Sequence, residues 1–156
     1  MNPRIDIYKN ATQPYQDLLA VNAYLAGCSL PRPLVELVFL RVSQINGCAY
    51  CIDKHSRDLL KGGMTVDKLV LVPAWHEAGT LFSTQEQAAL AWAEVVTRID
   101  QGGAADADYQ AVVAHFSERE YADLTIAIAL MNALNRLGIT GRLVPAAAVA
   151  AATARH

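Results

Sequence analysis

Apolar side chains recur three and four residues apart along almost the whole chain, and no β-branched run bounded by turn residues interrupts them. That spacing returns side chains to one face of a helix, whereas a half-buried strand needs strict alternation. The expected fold class is therefore all-α, with about six to seven helices. The most apolar stretch, residues 124–137, has Leu124, Ala127, Ile128, Met131 and Leu134 on one face and Ile126, Leu130, Ala133 and Leu137 on the other. A helix apolar nearly all round is expected to be covered on several sides, within the subunit or between subunits.

Turn and capping residues divide the pattern. A first helix is expected over residues 15–26, after Pro14 and ending at Gly27. Pro31 and Pro33 open a second over residues 34–45, because proline is tolerated in a first turn where its missing N–H has no partner. Asn46-Gly47 stops it. A third helix starts at or just before Cys48 and ends at Gly62-Gly63, and Thr65 caps a fourth over residues 66–75. Ser83-Thr84-Gln85-Glu86 and Ser117-Glu118-Arg119-Glu120 are capping boxes, ahead of helices expected to reach Ile99 and Leu137. Between these two, Gln101-Gly102-Gly103 is a break and residues 106–115 form a short helix. Residues 1–156 are expected to make one domain, with 1–13 and 142–156 as peripheral tails, the latter an alanine-rich frayed helix.

A chain of 156 residues can bury a proper core without disulfide staples. The formal net charge is only -2, which offers nothing to nucleic acid or to an anionic membrane surface. No apolar stretch is expected to approach the ~20 residues of a membrane span. Three cysteines is an odd count, and Met1 to Asn10 mixes Arg4, Asp6 and Lys9 without the apolar core of a signal peptide. The expected setting is a reducing cytoplasm, where a Cys-x-x-Cys pair is catalytic or metal-bound rather than structural.

Such a pair stands in Gly47-Cys48-Ala49-Tyr50-Cys51-Ile52-Asp53-Lys54-His55. On a helix its two thiols and the imidazole share one face, with His55 a turn beyond Cys51. Thiolate is the reactive form, and both a helix N-terminus and a neighbouring imidazole favour it. The second thiol allows recovery, since a sulfenic acid formed on one sulfur condenses with the other to a disulfide. Two criteria point to different attackers. The helix terminus makes Cys48 the more acidic and more exposed thiol, whereas proximity to a base favours Cys51.

Glu36 is the one acidic residue within the apolar second helix, where a buried carboxylate needs a partner. Across the Asn46-Gly47 turn it is expected to reach the dithiol helix and accept a proton, or to orient His55 through water. Zinc is the rival reading, with Cys48, Cys51, His55 and Glu36 as ligands, but structural zinc sites draw on two separated pairs and only one is present. No cofactor and no metal are expected. Cys28 has no assigned role. His76 and His115 read as surface or interface residues without a visible partner, and Asn132, Asn135 and Arg136 as hydrogen-bonding residues of the long helix. Trp75 and Trp92 read as core or interface aromatics.

Glu36, Cys48-x-x-Cys51-x-x-x-His55, Gly47 before the first cysteine and Gly62-Gly63 after the helix together resemble the alkylhydroperoxidase-D-like (AhpD-like) branch of the carboxymuconolactone decarboxylase family. The resemblance is strongest from Pro33 to about Thr97, including Val72-Pro73-Ala74-Trp75 and Phe82-Ser83-Thr84-Gln85-Glu86-Gln87-Ala88-Ala89-Leu90. The run from Met131 to Leu137 is similar to the C-terminal helix of a peroxidase-related subgroup. The resemblance implies an all-helical homo-oligomer, a trimer or hexamer, with thiol peroxidase or disulfide-reductase activity. It implies a hydroperoxide substrate and an external dithiol reductant, whether a lipoyl protein, a thioredoxin-like protein or a small thiol. It makes Cys51 the attacking thiol, Cys48 the resolving one, and Glu36 and His55 a proton relay. Tyr50 departs from the best-studied branch, which carries a histidine there, and a tyrosine neutral at pH 7 does not supply that base. The decarboxylase branch lacks the paired cysteines.

Overall fold

The computed structural model describes residues 3–154. These form ten α-helices: α1 (Ile7–Asn10), α2 (Thr12–Leu25), α3 (Arg32–Asn46), α4 (Ala49–Lys61), α5 (Val66–Val70), α6 (Thr84–Thr97), α7 (Ile99–Gly102), α8 (Asp106–Val113), α9 (Glu118–Gly141) and α10 (Ala146–Thr153). Two 3-10 segments, Val72–Glu77 and Gly79–Leu81, connect α5 to α6, and no strand occurs among the described residues. Helices α1, α5 and α7 are little more than single turns; α2, α3, α4, α6, α8 and α9 correspond to six of the helices expected from sequence, α5 to a shortened form of the seventh, and α10 to the alanine-rich segment expected as a frayed helix.

Some boundaries move, for local reasons. Helix α2 starts at Thr12, ahead of Pro14, which is tolerated in its first turn. The helix expected over residues 66–75 ends at Val70, because Pro73 has no N–H to continue the ladder and the chain tightens into the 3-10 segment. Both predicted capping boxes form, at Ser83 with Glu86 and at Ser117 with Glu120, and α9 runs past Leu137 to Gly141.

Helix α3, not α9, is the one buried all round. Its residues 34–43 are all buried, Glu36 and Arg41 included, because α4, α6 and α9 pack around it. Val35, Leu37, Val38, Phe39 and Leu40 have no exposed surface, and burying each such side chain contributes about 1.5–3 kcal/mol. Within the chain α9 buries one face through Leu124, Ala127, Ile128 and Met131, while Ile126 and Ile139 are exposed. The stretch Glu118–Thr153, which joins α9 and α10, has the length and mean hydropathy of a weak candidate membrane span. Its packing on α3, α6 and α8, and the buried Asp123 and Asn135, are those of a core helix.

Three helices end in the same way. Gly47 after α3, Gly63 after α4 and Arg142 after α9 all adopt positive φ. In each, two N–H groups turn back to the last turn, which is a Schellman motif. The pairs are Gly47 to Gln44 with Cys48 to Ser43, Gly63 to Leu60 with Met64 to Leu59, and Arg142 to Ile139 with Leu143 to Gly138. The segments expected to be peripheral are also tied down where they are described. The Arg4 N–H donates to the Gly141 carbonyl at 3.1 Å, and the Ala147 N–H, at the start of α10, donates to Asp53 of α4 at 3.2 Å.

Candidate functional site: a buried dithiol beside a carboxylate–imidazole pair

The Schellman turn at Gly47 delivers Cys48 to the N-cap of α4, where its sulfur accepts the Cys51 N–H at 3.4 Å. Cys48 and Cys51 are joined as a disulfide, with Cα atoms 5.3 Å apart. The helix then buries one stripe, Cys51, His55 and Leu59, at successive turns. Exposure runs opposite to the helix-terminus argument: Cys48 is 1% exposed and Cys51 is 6% exposed. The N-cap sulfur is turned inward beneath the turn, whereas Cys51 borders a cavity.

Helix α4 folds back on α3, so Glu36 and His55 meet directly rather than through water. His55 Nδ1 lies 2.7 Å from Glu36 Oε2, and both residues are buried. The other carboxylate oxygen is paired with Arg32, one turn earlier on α3. Burial pushes the Glu36 carboxyl up, but the hydrogen bond from His55 and the charges of His55, Arg32 and Lys54 outweigh it and hold it below its ordinary value. An ionised carboxylate only accepts, so Nδ1–H is the donor; in the neutral ring, Nε2 is then the free base. Phe39 packs on the ring, with centroids 5.1 Å apart.

Two cavities meet this pair. One, of about 130 Å³, is bordered by Cys51 and His55 with Tyr15, Tyr50, Leu134 and Leu143. A larger one, of about 570 Å³, is bordered by Glu36, Arg32, Asp58, Lys68 and Glu86. The His55–Glu36 hydrogen bond thus links a sulfur-lined cavity to a charged one.

Glu36, His55 and Asp58 bring ligand-type atoms within 4.8 Å of one another, a different set from the zinc ligands considered from sequence, whose thiols are taken by the disulfide. Arg32 and Lys54 already pair with the two carboxylates and compete with a cation there. His76, expected to lack a partner, stacks on Trp75 at 3.6 Å and lies 3.5 Å from Glu94, which also accepts from Trp75 and Arg41. This cluster is remote from the thiols in sequence and joins α3 to α6. Asn135 is fully buried, donating to Ser43 and accepting from Asn46, and so braces the turn that carries Cys48.

Sequence reasoning missed Arg32, Asp58 and Gly138. The first two were legible as helical neighbours of Glu36 and His55, at i−4 and i+3. Gly138 is buried in α9, and a Cβ there would lie 3.4 Å from the Cys48 sulfur and 3.8 Å from that of Cys51. A glycine inside an otherwise helical pattern was its only signal.

An all-helical fold holding a redox-capable dithiol beside a buried carboxylate–imidazole pair defines the class of protein. The carboxymuconolactone decarboxylase family model matches residues 13–95, and the chain belongs to that family. It is 35% identical over 139 residues to the uncharacterized protein YdfG of Bacillus subtilis (strain 168), spanning 89% of this chain and 94% of that one. Its fold is AhpD-like. A solved structure from Agrobacterium tumefaciens, described as a protein of unknown function and a candidate antioxidant defence protein AhpD, superposes with a TM-score of 0.88. The match covers 92% of this chain and 98% of that one at 31% identity. The debrominase Bmp8, solved as a cysteine-to-alanine variant with 2,3,4-tribromopyrrole, shares the fold at 16% identity and a TM-score of 0.75, over 96% and 80% of the two chains.

Proposed function

We propose that this chain is a thiol-dependent oxidoreductase that reduces hydroperoxides through the Cys48/Cys51 couple, using Glu36 and His55 as a proton relay. The observation that carries the reading is the buried His55–Glu36 hydrogen bond beside a Cys48–Cys51 pair already joined as a disulfide. In the first step His55 Nε2 takes the Cys51 thiol proton, and the resulting thiolate attacks the distal peroxide oxygen. An S–O bond forms, the O–O bond breaks, and the leaving alkoxide takes a proton from the relay. The Cys48 thiolate then attacks the Cys51 sulfenic sulfur, forming the S–S bond and releasing the oxygen as water once protonated. An external dithiol supplies two electrons and two protons to restore both thiols.

Cys51 is assigned as attacker because it borders the cavity with His55, while Cys48 is enclosed. Glu36 faces the larger cavity, which gives the relay a route for proton exchange away from the sulfur. The likeness to the Agrobacterium protein, with its antioxidant description, supports the same reading. Bmp8 widens the substrate question, since a debrominase has been built on this fold.

The test is peroxide consumption coupled to a dithiol reductant. Cys51→Ser is expected to bring it to background and Cys48→Ser to leave a single-turnover burst; undiminished steady turnover in Cys51→Ser overturns the assignment.

A further inference from the structure

One residue that borders the Cys51 cavity, Leu143, comes from the segment after α9. The Schellman turn sends the Leu143 N–H back to the Gly138 carbonyl at 2.9 Å, which seats Leu143 over the turn that touches the disulfide. A Cβ on Gly138 would meet the Cys48 sulfur at 3.4 Å, Leu143 Cδ1 at 3.6 Å and the Cys51 sulfur at 3.8 Å. The leucine tip and both sulfurs therefore surround one point. Leu143 also borders the cavity of about 130 Å³ together with Cys51, Tyr15 and Tyr50.

We propose that Leu143 is a specificity-determining residue: it is the wall that sets how large a reagent reaches the Cys51 sulfur. The substrate consequence rests on the thiol-oxidoreductase reading above, while the steric one does not. Cys51 is only 6% exposed, so the cavity mouth controls its access. At about 130 Å³ the cavity lies below the range of about 300–1,000 Å³ usual for drug-sized ligands. That admits a peroxide head or a slender chain and turns away a bulky ring system. Leu143 contributes shape without charge, and it is held from both sides. Upstream, Gly141 is clamped by the Arg4 N–H on its carbonyl; downstream, Pro145 opens α10, whose Ala147 N–H is bonded to Asp53. The segment expected to be a peripheral tail is in this way part of the site.

Two variants with opposite effects on size test it. Leu143→Ala widens the wall and Leu143→Trp narrows it, and at 41% exposure neither removes a core side chain. The fully reduced protein is treated with iodoacetamide or with fluorescein maleimide, and modification of Cys51 is followed by peptide mass spectrometry. The bulky-to-small rate ratio is expected to rise about tenfold in Leu143→Ala and to fall in Leu143→Trp, the scale of a methylene-level change in an apolar pocket. A ratio unchanged in both variants, with unchanged melting temperatures, overturns the proposal. The kcat/KM ratio for cumene hydroperoxide over hydrogen peroxide is expected to move the same way. If no variant, nor the parent, consumes either peroxide while the alkylation ratio still shifts, the peroxidase reading falls and the wall stands.

Discussion

Glu36 accepts the Nδ1 proton of His55 at 2.7 Å, and the two side chains are 5% and 6% exposed. The carboxyl is held below its ordinary value, so the unfolded chain takes up this proton at a higher pH than the folded one does. The associated stability is complete above the unfolded-state value of about 4.3 and is lost as pH falls through the lower folded value. Glu36→Gln is expected to cost about 1–3 kcal/mol at pH 7 by weakening a buried, charge-assisted bond. The gap to the parent protein should close in acid. Urea unfolding at pH 7 and pH 3 measures both; an equal cost at the two pH values would mean that the carboxyl titrates alike in the folded and unfolded chains.

His55 is argued to move protons, not merely to fill space against Phe39. His55→Ala is expected to lower kcat/KM for peroxide by about 10²-fold or more. His55→Asn, which can still donate to Glu36 but has no base to offer, should recover stability without recovering rate. The pair of variants, compared by melting temperature and turnover, separates the two roles.

How much of this was legible in the sequence follows from the range of each interaction. Helix starts were readable because a capping box is made by residues three apart, as at Ser83 with Glu86 and Ser117 with Glu120. The Cys51, His55 and Leu59 stripe was readable for the same reason. What lay beyond reach depends on which elements become neighbours. That α3 rather than α9 is enclosed on all sides is decided by three packing partners, because both helices are comparably apolar in sequence. Leu143 borders the Cys51 cavity only because α9 ends in a left-handed turn at Arg142, a residue whose identity does not announce one. The Glu94 partner of His76 lies on another helix, outside any local pattern.

Gly138 tests how tightly α9 is packed on the disulfide. At 3.4 Å and 3.8 Å from the two sulfurs a single methyl is in ordinary contact, so Gly138→Ala is expected to be tolerated and to gain up to about 1 kcal/mol in helix propensity. Gly138→Val has no such room and is expected to lose about 1–3 kcal/mol by overpacking. Urea midpoints of the oxidised proteins give the comparison. Equal midpoints for the alanine and valine variants would show that α9 yields easily at this point.

Gly47 and Arg142 occupy the same left-handed position after their helices, at φ 72° and φ 55°, yet only one is a glycine. An L side chain in that conformation costs roughly 1–2 kcal/mol. Gly47→Ala is therefore expected to destabilise by about 1 kcal/mol. It should also loosen the turn that presents Cys48. Arg142→Gly relieves the same strain but adds freedom to the unfolded chain, so its expected gain is under ~1 kcal/mol. The opposite signs are the prediction. Urea unfolding of both variants checks it, and a loss of stability in Arg142→Gly would mean that the arginine side chain makes contacts worth more than its backbone strain.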